Sequence, residues 1–310
     1  MSRRATALAF TVLLVLAVSA TAQEDSVEPG TITRDEIRSW VFERDGREWA
    51  ARPSAPTSMG DSGLFRLVGS ADTLPRGLFS VGVFRDNFDR DPKSTDFSIH
   101  GLAVGYGVSD ALELFGSIGI EHRARAHALD EPGGPNEYPF ISEGWETGFG
   151  DLWLGAKYAF LRRSGTEPLG LALRGFVKVA MADAARGLGT GEPSFGADLI
   201  LSRSLGGGVD LHGVAGYEIN GNPDSPFSVT PSSGDVFPGP DHVADAFRWG
   251  VGLAVPACSS LQLQAELSGK VYGDTTVAQT NTADLIVGAS FHLGPGLYVR
   301  PAWSYALGYD

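Results

Sequence analysis

The sequence has little cysteine, little positive charge and, beyond its N-terminus, no long apolar run. The single cysteine, Cys258, excludes an intramolecular disulfide framework and a cysteine-built zinc site. Its 24 basic residues against 37 acidic ones give a net charge of −13, which argues against nucleic acid as the main partner. After residue 22 no run of about 18 apolar residues occurs, so no transmembrane helix is predicted. Hydrophobic residues nevertheless make up 43% of the chain, too many for a disordered protein.

The N-terminus has the pattern of an export signal. Arg3 and Arg4 precede the apolar stretch Ala5–Val18, and Ala20–Ala22 supplies the small residues of a cleavage site. We therefore predict a signal peptide over residues 1–22, with the mature chain beginning at Gln23. A membrane anchor is the alternative, but the apolar stretch is short for a span of roughly 20 residues.

Residues 23–62 differ in composition from the remainder of the chain and are predicted to be a polar N-terminal segment and linker. Thr33 and Glu36 form a capping box, and Ile37, Trp40 and Val41 then fall on one helical face. A short amphipathic helix here would plug a lumen or dock on a partner. A loosely ordered tail is the alternative, because the segment has so few apolar residues.

From about residue 76 onward the sequence reads as one strand after another. In 150–160, for example, Leu152, Leu154 and Ala156 alternate with Asp151 and Lys157. Such period-two alternation predicts strands with one apolar and one polar face. We predict eleven of them, over 77–87, 96–108, 111–122, 150–160, 169–179, 195–203, 209–219, 247–255, 261–271, 283–293 and 297–309.

Three features favour a membrane barrel over a soluble sandwich. The strands are about as long as a tilted strand needs to cross hydrocarbon, their apolar faces carry no charge, and short turns alternate with long loops. We therefore predict an all-β protein, an antiparallel up-and-down transmembrane β-barrel of about 12 strands over residues 63–310, in the bacterial outer membrane. The short turns are expected to be periplasmic. The alternative is a secreted soluble β-sandwich binding module.

The polar faces of these strands are predicted to fill the lumen. Acidic and basic side chains are nearly balanced there, which favours a paired structural network over a path for ions. The predicted lumen network comprises Glu113, Asp151, Lys157, Arg174, Lys178, Asp198, Asp210, His212, Glu218, Arg248, Glu266, Lys270, Asp284 and Arg300.

Several stretches resemble the barrels found at the front of OmpA-type envelope proteins. They are the opening strands over residues 63–120, the sequence ETGFGDLWLGAKYAFL and the final LYVRPAWSYALGYD. The resemblance implies a structural role in the cell envelope. The peptidoglycan-binding domain that often follows such barrels is absent from this sequence, so binding to the cell wall is not implied.

The strand count raises a separate point, because bacterial barrels have even numbers of strands and eleven is odd. One hypothesis is that a closing twelfth strand lies beyond Asp310. The other is a missed strand inside 220–244, where Phe227, Val229 and Phe237 occur.

No pattern of catalytic or metal-binding residues stands out. Gly60–Gly63 resembles the nucleophile loop of serine hydrolases, but Leu64 breaks the protease pattern and no preceding strand forms an elbow. The six histidines lack the spacing of helix-borne ligands, and the acidic residues from Asp86 to Asp91 do not complete a calcium loop.

We therefore predict no enzyme, no cofactor and no metal. The main expectation is a structural envelope role, with a passive small-solute, porin-like channel as the alternative. Expected partners are outer-membrane lipid, the barrel-assembly machinery during insertion and a small solute, without nucleic acid. The oligomeric state and the roles of loops 122–146 and 220–244 stay open.

Overall fold

The computed structural model describes residues 9–16, 41–44, 47–50, 55–90, 95–127, 136–163, 168–206, 208–223, 228–229, 237–238, 242–256, 261–273, 281–294 and 297–308. Cys258 and the proposed capping box lie outside these residues. In the described part of the chain, no helix is long and apolar enough to cross a membrane.

The strands, in chain order, are β1 Ala9–Leu16, β2 Val41–Arg44, β3 Arg47–Ala50, β4 Ala55–Pro56, β5 Ser62–Gly63, β6 Phe79–Arg90, β7 Thr95–Ser109, β8 Leu112–Ala126, β9 Glu146–Gly148, β10 Leu152–Leu161, β11 Leu169–Val179, β12 Ser194–Gly206, β13 Val209–Asn220, β14 Ser228–Val229, β15 Phe237–Pro238, β16 Ala246–Val255, β17 Leu261–Tyr272, β18 Thr282–Gly294 and β19 Leu297–Gly308. A single 3-10 turn, Ala184–Arg186, is helical within the described residues.

The main sheet closes on itself as an antiparallel barrel. It contains 13 strands, of which the short β9 only extends one end of β8. The other twelve follow one another around the ring, and β8 pairs with β10 to complete it. All eleven predicted strands are present, so the prediction of an all-β up-and-down barrel is confirmed. A β-sandwich is excluded, because the ring is one continuous sheet.

The twelfth strand of the ring is β1. It pairs with β19 from Ala9↔Ser304 to Leu16↔Leu297 and with β6 from Val12↔Arg85 to Leu16↔Val81. Closure in this uncleaved chain therefore needs neither a strand beyond Asp310 nor one inside 220–244, where β14 and β15 pair only with each other. Because β1 lies within the predicted signal peptide, cleavage would remove it, and cleavage itself stays a prediction.

The two faces of the barrel follow the alternation of the sequence. Outward side chains are large and apolar: Leu199 and Val251, for example, are each 49% exposed. Inward charged side chains are covered: Glu113, Arg174 and Glu266 are each 0% exposed. An apolar outer band around a polar interior is the arrangement of a barrel that faces lipid.

The hydrogen-bond ladder of the barrel is irregular beside Gly101. The ladder between β7 and β8 shifts register between His100 and Gly101, as a bulge requires. A Cβ on Gly101 would lie 2.2 Å from the ring of Phe84, so glycine makes room for that ring inside the barrel. The ladder between β6 and β7, in contrast, keeps one register from Phe79 to Arg90.

Residues 55–76 lie inside the ring and form a plug. Leu64, Phe65, Val68 and Ala71 of the plug pack against inward-facing alanines and branched residues of the barrel wall. The far end of the plug reaches the turn between β7 and β8, where the Thr73 hydroxyl donates to the Asp110 carbonyl at 2.7 Å. After the plug, the strands of the ring continue with β6 at Phe79, and the predicted boundary between residues 62 and 63 falls inside the plug. Of the predicted short helix, only Val41 is described, and it lies in β2.

Candidate lumen site

The predicted lumen network faces the barrel interior. Twelve of its fourteen members are buried, and Asp151 and Lys270 are partly exposed. Cross-strand pairs occur as the alternation suggested: Lys157 lies 3.4 Å from Glu113 across β10 and β8, and Arg174 lies 2.6 Å from Asp198 across β11 and β12. These pairs account for only part of the contacts, because much of the network binds the plug.

Glu266 anchors the plug backbone through three amides. Its carboxylate accepts the backbone N–H groups of Phe65 and Arg66 at 3.0 Å each and that of Leu67 at 2.7 Å. The Ser268 hydroxyl donates to the same carboxylate at 2.8 Å. Three consecutive amides around one buried anion fix the bend of the plug, since hydrogen bonds to a charged acceptor are about twice as strong as neutral ones.

A second anchor joins Asp61 of the plug to the barrel wall. Arg174 donates from Nη1 to both carboxylate oxygens of Asp61 at 3.0 Å, and the Lys157 Nζ lies 3.5 Å from the same carboxylate. Burial by itself would raise the pKa of Asp61. Arg174, Lys157 and the Thr57 hydroxyl together outweigh burial and hold the pKa below its ordinary value of 3.8. Asp61 is therefore ionised at neutral pH.

The neighbouring plug residue, Ser62, also forms hydrogen bonds with the barrel wall. Its backbone N–H donates to Glu113 at 2.7 Å, and its hydroxyl donates to the same carboxylate. Lys157 donates to the Ser62 carbonyl at 2.9 Å. The hydrolase-like motif Gly60–Gly63 thus serves to hold the plug in the barrel.

Other plug contacts come from cations at opposite sides of the lumen. Arg300 donates to the carbonyl oxygens of Pro56, Gly63 and Leu64. Near the short-turn end, Arg163 contacts Asp72 of the plug and lies 2.9 Å from Asp210. Sequence reasoning missed Asp61, Arg66, Asp72 and Arg163, because nothing in their local pattern shows that residues 55–76 enter the barrel.

One acidic member of the predicted network is paired with a residue of the plug. Asp284 has a basic partner in the plug: Arg66 lies 2.9 Å from Asp284 and 2.8 Å from Asp86. Asp86, the first of the acidic residues considered for a calcium loop, is buried on the inner face of β6. Both carboxylates are therefore paired with a cation that comes from the plug.

Above the plug, toward the long loops, the lumen holds a cavity of about 250 Å³. Its floor is formed by Met59, Arg66 and Leu67 of the plug. Aromatic side chains line much of its wall: Phe84, Phe88, Tyr138, Trp153 and Tyr272. The volume is slightly below the usual range of roughly 300–1,000 Å³ for small-molecule pockets.

The charged groups of the cavity wall are bound to one another. Glu218 lies 3.0 Å from both Arg248 and Lys270. From the loop between β8 and β9, Glu137 lies 3.2 Å from Lys270 and accepts the Tyr272 hydroxyl at 2.6 Å, which ties that loop to the barrel rim. Within the described residues, no three His, Cys, Asp or Glu side chains come together in a way that could hold a metal ion.

These features define the class of protein. A closed barrel with an apolar outer band around a polar interior is an outer-membrane β-barrel protein. The predicted outer-membrane location is confirmed. The family model described as "Putative MetA-pathway of phenol degradation" matches residues 105–308, more than half of the chain. The chain belongs to this family.

Solved structures of outer-membrane channels resemble the chain over nearly its whole length but at low similarity. An outer membrane channel of Pseudomonas putida F1 has 13% identity and a TM-score of 0.40, covering 99% of this chain and 97% of its own. The toluene transporter TbuX of Ralstonia pickettii has 10% identity and a TM-score of 0.39, covering 98% and 90%. No curated protein matches the chain significantly.

The family match corrects the resemblance suggested by the sequence. The OmpA-type assignment is wrong, because the family model that matches residues 105–308 is a different one. The quoted stretches show strand alternation and abundant glycine, which all lipid-facing barrels share, so they did not distinguish one barrel family from another. The structural envelope role loses its support with that resemblance, and the channel alternative is the better description.

Proposed function

We propose that this barrel is an outer-membrane channel for small aromatic solutes. The observation that carries the proposal is the cavity of about 250 Å³ between the plug and the long loops, with five aromatic side chains in its wall. Aromatic faces recognise an apolar ring by stacking and edge contacts, each of which contributes about 0.5–1.5 kcal/mol. The description of the family, phenol degradation, agrees with a solute of this kind.

The plug makes this a closed channel in the conformation described. Its apolar side chains and the contacts of Glu266, Arg174 and Arg300 fill the short-turn half of the lumen. A solute that enters from the long-loop end meets the plug before it can pass through. The role is therefore selective uptake with a displaceable plug, in contrast to the open porin-like pore considered from the sequence.

Binding of aromatics to a cavity-filled variant tests the proposal. Ser117 is buried on the inner face of β8 and lines the cavity, whereas Leu114 on the same strand faces lipid. With calorimetry on refolded protein in detergent, we expect phenol and toluene to bind the wild type. Ser117→Phe should abolish that binding, and the matched control Leu114→Phe should keep it. Equal binding by the wild type and Ser117→Phe would contradict the proposal.

A further inference from the structure

His122 supplies a polar atom beside the cavity for which the described part of the chain offers no partner. The residue lies on β8, is 4% exposed and belongs to the cavity lining. Among the described residues, its Nε2 atom has no hydrogen-bond partner. Buried polar groups are hydrogen-bonded in the great majority of cases, so an unpartnered ring nitrogen beside a ligand cavity needs an explanation.

The position of the His122 ring is fixed by its surroundings. Gly150 packs against it so closely that a Cβ there would lie 3.1 Å from Nδ1. The backbone N–H of Gly150 donates to the Gly119 carbonyl at 2.9 Å, which holds the glycine in place. The imidazole is therefore held in one place, so its nitrogen is available to a ligand only from a defined direction.

Tyr138 covers another side of the ring. Its ring meets the imidazole edge-on, with centroids 5.1 Å apart, and packs at a tilt against the ring of Phe97, with centroids 4.4 Å apart. Tyr138 comes from the loop between β8 and β9, while His122 comes from a strand. Both side chains line the cavity, so a solute bound there would lie beside the imidazole.

We propose that His122 Nε2 recognises the hydroxyl group of a phenolic solute, so that the cavity prefers hydroxylated aromatics over aromatic hydrocarbons. A phenolic O–H can donate to a ring nitrogen or accept from its N–H, so either tautomer serves. An unsubstituted ring offers neither and would leave Nε2 unpaired. This inference rests on the proposed function and specifies its solute class.

The test compares phenol and toluene binding by the wild type, His122→Leu and His122→Gln. We expect the ratio of toluene to phenol dissociation constants to fall about tenfold in His122→Leu relative to the wild type. His122→Gln, which keeps hydrogen-bonding groups, should retain much of the preference. His127→Phe is the control, since His127 is an exposed imidazole paired with Asp96 outside the cavity. Toluene is more hydrophobic than phenol, and this difference contributes equally to the ratio in every variant. The change in the ratio between a variant and the wild type therefore reports only the recognition of the hydroxyl group.

The outcomes separate this inference from the proposed function. If the wild type binds both ligands and the ratio does not change in His122→Leu, His122 does not recognise the hydroxyl while the aromatic cavity stands. If the wild type binds neither ligand, the proposed function itself fails. Should His122→Leu not fold, the 15N resonance of Nε2 in the wild type decides: a shift with phenol but not with toluene supports the inference, and no shift overturns it.

Discussion

Charged side chains line both halves of the lumen, but they bind different partners in the two halves. In the short-turn half, charged side chains of the wall bind the backbone and the acidic groups of the plug, as Glu266 and Arg174 do. In the long-loop half, the charges pair mostly with one another, as Glu218 does with Arg248 and Lys270, and leave a cavity. The comparison teaches that charge in the lumen serves to hold a peptide in one half and to keep space open in the other.

The largest effect should come from removal of the plug. Deletion of residues 57–72 takes away the groups that fill the short-turn half, and a barrel of twelve strands then retains open space along its axis. We expect the single-channel conductance in planar bilayers to rise at least about tenfold. Deletion of the segment 41–50, which precedes the plug, is the control and should leave the conductance low. An unchanged conductance after plug deletion would mean that the plug does not close the channel.

Substitution of Glu266 should destabilise the protein by removing the contacts between the plug and the barrel wall. Glu266→Leu leaves three plug amides without their buried acceptor, and we expect the free energy of unfolding to fall by about 3–5 kcal/mol. Glu146→Leu removes a carboxylate from a more exposed pair with Arg186, and should cost at most about 1 kcal/mol. Urea unfolding in lipid vesicles measures both. Similar losses in the two variants would refute the special role of Glu266.

Acid should loosen the plug through Asp61. Because its pKa in the folded protein is lowered below 3.8, the stabilisation from its charge is complete above that value and is lost as the pH falls below it. We expect conductance to stay low from pH 7 to about pH 4 and to rise at lower pH. Asp61→Asn should raise the conductance at neutral pH and reduce the further response to acid. A rise centred near pH 6 would point to a histidine instead.

The smallest change in stability is expected for Arg66, which lies between the short-turn half and the long-loop half of the lumen. Arg66 belongs to the plug, contacts Asp86 and Asp284, and is more exposed than Arg174. Arg66→Met keeps the length of the side chain but removes the charge, and we expect a loss of about 1–2 kcal/mol with a wider cavity floor. Urea unfolding together with phenol binding measures the two effects. A loss as large as that of Glu266→Leu would place Arg66 with the main anchors.

The sequence was sufficient for the barrel but insufficient for the plug. Alternation along β8 and β10 placed Leu114 and Leu154 outside and Glu113 and Lys157 inside, because a period of two leaves no other arrangement once one face meets lipid. The plug has no such period. Its position depends on contacts such as Ser62 with Glu113, fifty-one residues apart in the chain, and no local pattern encodes them.

The same limit explains the error in the family assignment. Barrel strands of different families share their alternation, so those quoted for OmpA-type proteins did not identify the family. The cavity could not be predicted either, because residues far apart in the chain, such as Phe84 on β6 and Tyr272 on β17, line it together only in the folded barrel. The inward charges, in contrast, were predicted individually, although most of their plug partners were not.

The most direct test of the account is to locate a heavy-atom aromatic in the protein. Crystals soaked with 4-bromophenol allow the bromine to be found by its anomalous scattering. The account predicts a bromine peak inside the barrel, between Met59 and Leu67 of the plug and Tyr138 of the loop. Bromine peaks confined to the lipid-facing surface, with none in the cavity, would contradict it.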